Sequence, residues 1–281
     1  VKFWVETSRG GGLVDAADAT VSIFDHGFTV GDGVFETLKT VHGKPFAPTR
    51  HLRRLFHSAA LLEIVTPTED QIRTAIDAVV HQQECVAAEL GRLRVTITAG
   101  DSELGSKRSD SWTLVVAWSS SAAWPASCKV VISDVLRNER SPLASAKTTS
   151  YAENALALHR ATSQGAQEAF LLNLAGNVCE ATGSNVFIVK NGVVMTPPLE
   201  DGCLGGITRE LLLEWIAGVI PYEVRAIAPE ELLDADEVFL TSSTRDIQAV
   251  HQVGETVFMC PAPITSRLQA LFVERSPEEM S

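Results

Sequence analysis

Gly31-Asp32-Gly33-Val34-Phe35-Glu36-Thr37 is the stretch on which the fold turns. Its two glycines invite comparison with a nucleotide loop. The third glycine of such a loop is missing, however, and Val34-Phe35-Glu36-Thr37 runs on as a strand where a dinucleotide loop would open a helix. Outward from there, residues 34–41 read as a strand that turns at His42-Gly43-Lys44-Pro45. A helix follows over about 49–63, because Leu52, Leu55, Phe56, Ala59 and Leu62 recur on one face. A second helix is expected over about 68–90, starting after Thr66-Pro67-Thr68 and carrying Ile72, Ile76, Val79 and Val80. Strands at 2–5, Leu93–Thr98 and Thr113–Trp118 complete this half.

Ser119-Ser120-Ser121-Ala122-Ala123-Trp124-Pro125-Ala126-Ser127 has linker composition. The expected organisation is therefore an N-terminal domain over 1–118, a linker over 119–127 and a C-terminal domain over 128–281. The second half reads as a strand at 128–133, a helix at about 151–163, and a meander of Ala169–Leu174, Val186–Lys190 and Val193–Thr196. Asn191-Gly192 joins the last pair as a hairpin. Gly205-Gly206-Ile207-Thr208 leads into a helix over Arg209–Trp215, followed by strands at 222–227 and 236–241 and a helix near 264–274. Strands and helices mix without a regular βαβ alternation, so the expected fold class is α+β.

The 281 residues carry a formal net charge of −12, which argues against a phosphate backbone as partner. Five cysteines form no C-x-x-C pair and no zinc-ligand spacing, so neither a metal site nor a disulfide framework is expected. No apolar stretch reaches the length of a membrane span, and Val1-Lys2-Phe3-Trp4-Val5-Glu6 reads as a first strand rather than a signal peptide. The expectation is a cytoplasmic chain with small-molecule partners.

Seven lysines occur, and Lys147 differs from the rest. It lies in Leu143-Ala144-Ser145-Ala146-Lys147-Thr148-Thr149-Ser150-Tyr151, a run of small residues before a helix. A lysine that carries a carbonyl cofactor needs partial desolvation to lower its pKa, and small neighbours to admit a flat ring. An exposed lysine before a helix is the bland alternative.

Six motifs, in order, decide between them: Phe24-Asp25-His26-Gly27, Gly31-Asp32-Gly33-Val34-Phe35-Glu36-Thr37, His51-Leu52-Arg53-Arg54-Leu55, Lys147-Thr148-Thr149-Ser150-Tyr151-Ala152-Glu153-Asn154, Glu180-Ala181-Thr182-Gly183-Ser184-Asn185-Val186-Phe187 and Gly205-Gly206-Ile207-Thr208-Arg209. Over about residues 20–250 the chain resembles the class IV family of pyridoxal 5′-phosphate (PLP) enzymes. That family includes branched-chain and D-amino-acid aminotransferases, (R)-amine transaminases and aminodeoxychorismate lyase. The resemblance implies a two-domain PLP fold of type IV, similar to D-amino-acid aminotransferase, working as a homodimer with PLP in a cleft.

The resemblance also implies roles. Lys147 holds PLP as a Schiff base and serves as the general base on the substrate Cα. Arg54 falls on the PLP phosphate, while Arg50 and Arg53 read as solvated. Gly206, Ile207 and Thr208 open a helix whose N–H groups suit an anion, and Ser243 aligns with a second hydroxyl ligand. Glu180 falls on the pyridine nitrogen. Tyr151 either touches the cofactor or the lysine or packs in the core, and His26 either reaches the site or braces the loop from Asp25 to Gly33. Substrate contacts are expected from Phe28, Thr244, Arg245, Arg137 and Tyr151. The carboxylate ligand stays open: the T-R-G segment of D-amino-acid aminotransferases is matched by Thr98-Ala99-Gly100, leaving Arg137, Arg140, Arg245 and Arg108 available. The expected activity is transfer of an amino group between a small amine or amino acid and a 2-oxo acid, the commonest in the family. An aminodeoxychorismate lyase releasing pyruvate and p-aminobenzoate is the alternative, and a catalytically idle PLP-fold binding protein is the alternative of another class.

Overall fold

The computed structural model describes residues 1–280. The chain forms two compact units that are not simple halves of the sequence. The first comprises Val1–Ala123, Ala146–Tyr151 and the C-terminal residues from Glu279, and the second comprises Trp124–Ser145 and Ala152–Glu278.

In the first unit, β1 (Phe3–Thr7), β2 (Gly10–Val14), β3 (Gly33–Val41), β4 (Lys44–Pro45), β5 (Leu90–Thr98) and β6 (Thr113–Ser120) make an antiparallel sheet in the order β2-β1-β6-β5-β3-β4. A short helix, α1 (His26–Thr29), precedes β3, and α2 (Pro48–Leu61) and α3 (Glu69–Val80) follow β4. Alternation along the strands sends Val34, Leu38, Leu93, Val95, Ile97, Leu114 and Val116 to one face, where Leu52 and Leu55 of α2 and Ile72, Ile76 and Val79 of α3 cover them. Each such side chain contributes roughly 1.5–3 kcal/mol by leaving water.

The helix expected over 68–90 stops earlier. Thr68 opens α3 with a reciprocal capping box to Gln71, but Gln82 adopts an extended conformation after the C-cap His81. The Gln82 side chain bonds both the N–H and the carbonyl of Lys2. A separate turn, α4 (Gln83–Ala87), then leads into β5. Local bonding to Lys2, just ahead of β1, outweighs the helical periodicity.

In the second unit, β7 (Ser127–Arg137), α5 (Ala152–Ser163), β8 (Glu168–Asn173), β9 (Val178–Ala181), β10 (Asn185–Lys190), β11 (Val193–Thr196), α6 (Ile207–Ile216), β12 (Tyr222–Val224), α7 (Pro229–Leu233), β13 (Glu237–Ser242), β14 (Asp246–Val253), β15 (Thr256–Val257) and α8 (Pro263–Arg275) follow in sequence. The sheet order is β12-β11-β10-β13-β14-β7-β8-β9, with β15 on β14. Phe187 and Phe239, cross-strand partners on β10 and β13, stack at 4.9 Å. The strand expected at 128–133 extends to Arg137, and β14, which went unread in the sequence, lies in the middle of the sheet.

Two expectations about organisation need correction. Ser119 and Ser120 belong to β6 and Ser127 to β7, so the irregular segment is shorter than 119–127. The expected placement of Lys147 in a C-terminal domain is overturned as well. The Phe35 N–H donates to the Lys147 carbonyl at 2.9 Å, the Thr149 N–H donates to the Gly33 carbonyl at 2.8 Å, and Thr148 forms a bridge with Val34. Residues 146–151 are thus an extension of the β3 edge and part of the first unit.

Candidate active site

Lys147 is held from three sides in the first unit. Its backbone N–H donates to Ser58 Oγ at 3.0 Å, from α2, while its carbonyl is tied to β3. Its Nζ lies 4.6 Å from the centroid of the Phe35 ring, close enough for the ring face to attract an ammonium. Tyr151 meets the same ring edge-on at 5.5 Å. The glycine motif before β3 has a steric role here. Gly31 has φ +69°, and a Cβ on it would lie 2.9 Å from Ser150 Oγ. The Gly31 carbonyl accepts from both Thr149 Oγ1 and Ser150 Oγ at 2.9 Å. The motif cradles the lysine segment.

Beneath it lies a buried charge cluster. Arg54 Nε and Nη2 donate to the two oxygens of Glu36 at 2.7 Å each, a bidentate fork. His51 Nδ1 is 2.6 Å from Glu36 Oε2. Glu36 and His51 are fully buried. Burial alone would raise the Glu36 carboxyl, but the positive charge of Arg54, with a further contribution from His51, holds it far below the usual carboxylate range. Burial pushes the His51 imidazole down, and Glu36 opposes that shift.

The other arginines near these motifs differ in their partners. Arg50 pairs with Glu279 at 3.4 Å, Arg53 is exposed, and Arg108 forks Asp32 at 2.6 and 2.7 Å while donating to the Leu62 carbonyl. His26 is buried 3.6 Å from the same Asp32. Arg94, on β5, has no carboxylate partner among the described residues. Its guanidinium sits 3.6 Å over the Phe35 ring, the ring that also attracts Lys147 Nζ. Phe28 is 74% exposed on α1.

In the second unit Glu180 lies on β9, buried. Its Oε2 accepts the Leu204 N–H at 2.9 Å and its Oε1 lies 3.1 Å from Arg137 Nη2. Leu204 leads into Gly206, the N-cap of α6, which offers no side-chain cap. A Cβ on Gly206 would fall 2.0 Å from Asn185 Oδ1, so only glycine lets the turn approach β10 this closely. Asn185 Nδ2 in turn donates to the Leu204 carbonyl at 2.8 Å. One residue into the helix, Thr208 Oγ1 is buried without a hydrogen-bond partner, as are Ser184 Oγ and Thr241 Oγ1. Thr241 pairs with Asn185 across β13 and β10. Ser243 and Thr244 lie in the turn before β14. Arg245, expected at a substrate, pairs instead with buried Glu168 at 3.2 Å and stacks 3.8 Å over Trp124. Arg137, likewise expected at a substrate, is engaged by Glu180. Arg140 is a surface residue paired with Glu139.

The family described as Amino-transferase class IV matches residues 33–253. This chain is a class IV aminotransferase-family protein. A branched-chain-amino-acid aminotransferase of Pseudomonas aeruginosa is 32% identical over 282 residues, covering 94% of this chain and 90% of its own. The crystal structure of a branched-chain aminotransferase from Thermoproteus uzoniensis with norvaline superimposes with a TM-score of 0.89 at 26% identity, covering 100% of this chain and 98% of that one. A 4-amino-4-deoxychorismate lyase from Pseudomonas aeruginosa matches with a TM-score of 0.82 at 26% identity, covering 96% and 98%. The class IV fold is fold type IV, and the family depends on PLP.

The residues of this class IV chain fit that cofactor. An unpaired buried hydroxyl on Thr208, beside uncapped N–H groups at the start of a ten-residue helix, suits a phosphate. No helix among the described residues is long and apolar enough to cross a membrane.

Several residues of the site went unread in the sequence. Glu36 shares the core face of β3 with Val34 and Leu38, and a carboxylate at such a position demands buried partners. His51 and Arg54, three apart on α2, supply them. Arg94 alternates with Leu93 and Val95 along β5 and so faces away from the core, a period-2 signal available in the sequence. Asn185, within a quoted motif, had no role until the fold set it against Gly206.

Proposed function

We propose that this chain is a PLP-dependent aminotransferase that moves an amino group between a small amine or amino acid and a 2-oxo acid, with Lys147 as the catalytic residue. The observation that carries this reading is the Phe35 ring, which gathers Lys147 Nζ at 4.6 Å and the Arg94 guanidinium at 3.6 Å. It sets an amine that can attack a carbonyl next to a cation that can receive a carboxylate. The likeness to curated branched-chain aminotransferases across nearly the whole chain supports the same reading.

Lys147 is the covalent attachment point, and its released amine takes the proton from the substrate Cα and returns it during transfer. Arg54, the N–H groups of Gly206, Ile207 and Thr208, and the hydroxyls of Thr208 and Ser243 bind the phosphate. Glu180 holds a proton at the pyridine nitrogen. When bound, PLP supplies an electrophilic carbonyl carbon and a ring that accepts an electron pair. Tyr151 packs on Phe35 and fixes the ring over which Lys147 moves. Arg94 orients the substrate through its carboxylate. Arg137 and Arg245, paired with buried carboxylates, drop out as ligands for it. The working unit is a homodimer. Ile23, Phe24, Phe28 and Val30 leave a run of exposed apolar side chains around α1, the kind of surface a second copy covers.

The test is a substrate panel on the purified holoenzyme. D-amino acids, L-amino acids and (R)-amines are each offered with a 2-oxo acid, and aminodeoxychorismate is offered alone. New keto product from an amine donor is the expected result. Release of p-aminobenzoate without amino transfer would establish the lyase reading, which the lyase likeness favours. Turnover of neither class would leave a binding protein. Light scattering on the same sample checks the dimer.

A further inference from the structure

Glu180 is contacted on both oxygens, and the two contacts differ in kind. Oε2 accepts a backbone N–H from Leu204, whereas Oε1 faces the guanidinium of Arg137. Arg137 ends β7 and is itself largely buried, with 18% of its side chain exposed. The same Nη2 donates to Asn154 Oδ1 at 3.1 Å, from α5. Asn154 Nδ2 donates to the carbonyl of Thr182 at 2.8 Å, two residues beyond Glu180. The guanidinium is thus fastened to the backbone beside the carboxylate it meets. Charged and titratable groups around the pair include Glu153, 3.9 Å from Arg137 and exposed to water, Asp201, the thiols of Cys179 and Cys203, and Arg209, which acts on Cys203 and donates to the Pro197 carbonyl. Burial pushes the Cys203 thiol up to about 12 and that of Cys179 higher still, so both are uncharged. Burial also raises the Asp201 carboxyl. Arg137 is the cation whose guanidinium meets a Glu180 oxygen, at 3.1 Å.

A carboxylate next to a ring nitrogen shares one proton with it, and the surroundings decide which atom keeps the proton. Burial by itself favours the neutral acid, which would draw the proton onto the carboxyl and leave the ring uncharged. A guanidinium at about 3 Å works the other way, because it stabilises the anion in a setting where Coulomb energies are large. We propose that Arg137 is a positioning residue that holds Glu180 as the carboxylate anion, so that the shared proton rests on the ring nitrogen of the cofactor. The inference rests on the placement of Glu180 under the proposed function. It also explains why an arginine that could have served a substrate is instead locked to an internal carboxylate.

The experiment reads the ring nitrogen directly. Holoenzyme loaded with PLP labelled with 15N in the ring is compared by NMR across the neutral pH range as wild type, Arg137→Gln, Arg137→Lys and Glu180→Gln. Gln keeps a polar contact without the charge, and Lys keeps the charge without the fork. Wild type and Arg137→Lys are expected to show a protonated nitrogen throughout, and Arg137→Gln to lose that signal within the range. A purely structural arginine would make the Gln and Lys variants behave alike, and a protonated nitrogen in Arg137→Gln overturns the proposal. Glu180→Gln separates the two layers: an unchanged nitrogen signal there refutes the placement of Glu180 itself. For a variant that does not load PLP, the Glu180 carboxyl is titrated by 13C NMR in the cofactor-free full-length chain, identified by its loss in Glu180→Gln. A rise of about one pH unit or more in Arg137→Gln is expected. Should that variant fail to fold, the wild-type titration decides, since a Glu180 carboxyl that already titrates above the ordinary carboxylate range overturns the proposal.

Discussion

The surroundings of Arg54 and those of Thr208 differ in how their polar groups are settled. In the first unit Arg54 and His51 both meet Glu36 at 2.6–2.7 Å, so the buried carboxylate is partnered on both oxygens. In the second unit the hydroxyls of Thr208, Ser184 and Thr241 are buried without hydrogen-bond partners. The first arrangement is complete in itself. It fixes the plane of the Arg54 guanidinium in advance. The second is incomplete, and a buried hydroxyl left unsatisfied costs roughly 1–3 kcal/mol. A ligand that satisfies such groups returns that energy as stability of the complex. The contrast teaches that buried polar groups can be prepared in one place by stored order and in another by stored demand.

The largest expected effect lies between these regions in kind. Lys147→Ala removes the proposed attachment point and general base, and turnover should fall by at least roughly 10²–10⁴-fold, the usual contribution of a general base. Circular dichroism of the variant should match wild type, since the segment is anchored through backbone bonds. Borohydride-fixed cofactor on a different lysine peptide would refute the assignment.

Next comes the closed cluster. Glu36→Gln leaves the Arg54 charge buried beside a neutral partner, and breaking such a pair costs about 3–5 kcal/mol, seen as a large drop in Tm even without cofactor. The pH dependence sharpens this. The folded pKa of Glu36 lies below its ordinary value of 4.5, so the stabilisation is complete above that value and is lost as pH falls below it. Denaturant midpoints should therefore decline on acidification in wild type, and this component should vanish in Glu36→Gln. Parallel acid profiles for the two proteins would contradict the pairing.

Thr208→Val probes the open region and should give the opposite pattern. Stability of the cofactor-free chain should hold or rise, because a buried hydroxyl without a partner is removed, while PLP affinity falls about fivefold to tenfold, the equivalent of about 1 kcal/mol. A fluorescence titration alongside a melting curve reads both. Loss of stability without loss of affinity would mean that the hydroxyl serves the fold instead. The smallest effect is expected at Arg53→Ala, which touches an exposed position next to the cluster and should stay within about 0.5 kcal/mol in stability, with cofactor affinity unchanged. An effect equal to that of Arg54→Ala would replace the specific fork by a generally basic helix face.

The sequence reading reached the elements with strong periodicity and the motifs with chemistry. The α2 stripe, the Asn191-Gly192 hairpin and the glycine turn before α6 all read locally, because spacing and turn chemistry carry them. β14 did not. Asp246-Ile247-Gln248-Ala249-Val250 mixes polar residues into a strand buried on both sides by β13 and β7, where neither alternation nor a plain apolar run appears. The partner of a charge is equally illegible one residue at a time. Arg54 stood out as a candidate anion ligand, but its Glu36 fork depends on the register of β3 against α2. Arg137 looked like a free cation until β7 ran past its expected end and delivered it to Glu180. The lysine segment had the right chemistry and the wrong neighbourhood, since nothing in Ala146–Tyr151 announces that it bonds to a strand more than a hundred residues earlier.

That last feature governs how the molecule comes off the ribosome. Residues 1–123 emerge before the second unit, yet the β3 edge is not closed until residue 151 has been synthesised, and the bend after β4 waits longer still. The Ala47 N–H donates to the Glu279 carbonyl, and Phe46 bridges to Met280. The first unit therefore draws some of its hydrogen bonds from residues made only after the whole of the second. A gene split in the serine-rich segment would put Lys147 on the fragment that lacks its strand partner, so complementation should need both fragments translated together.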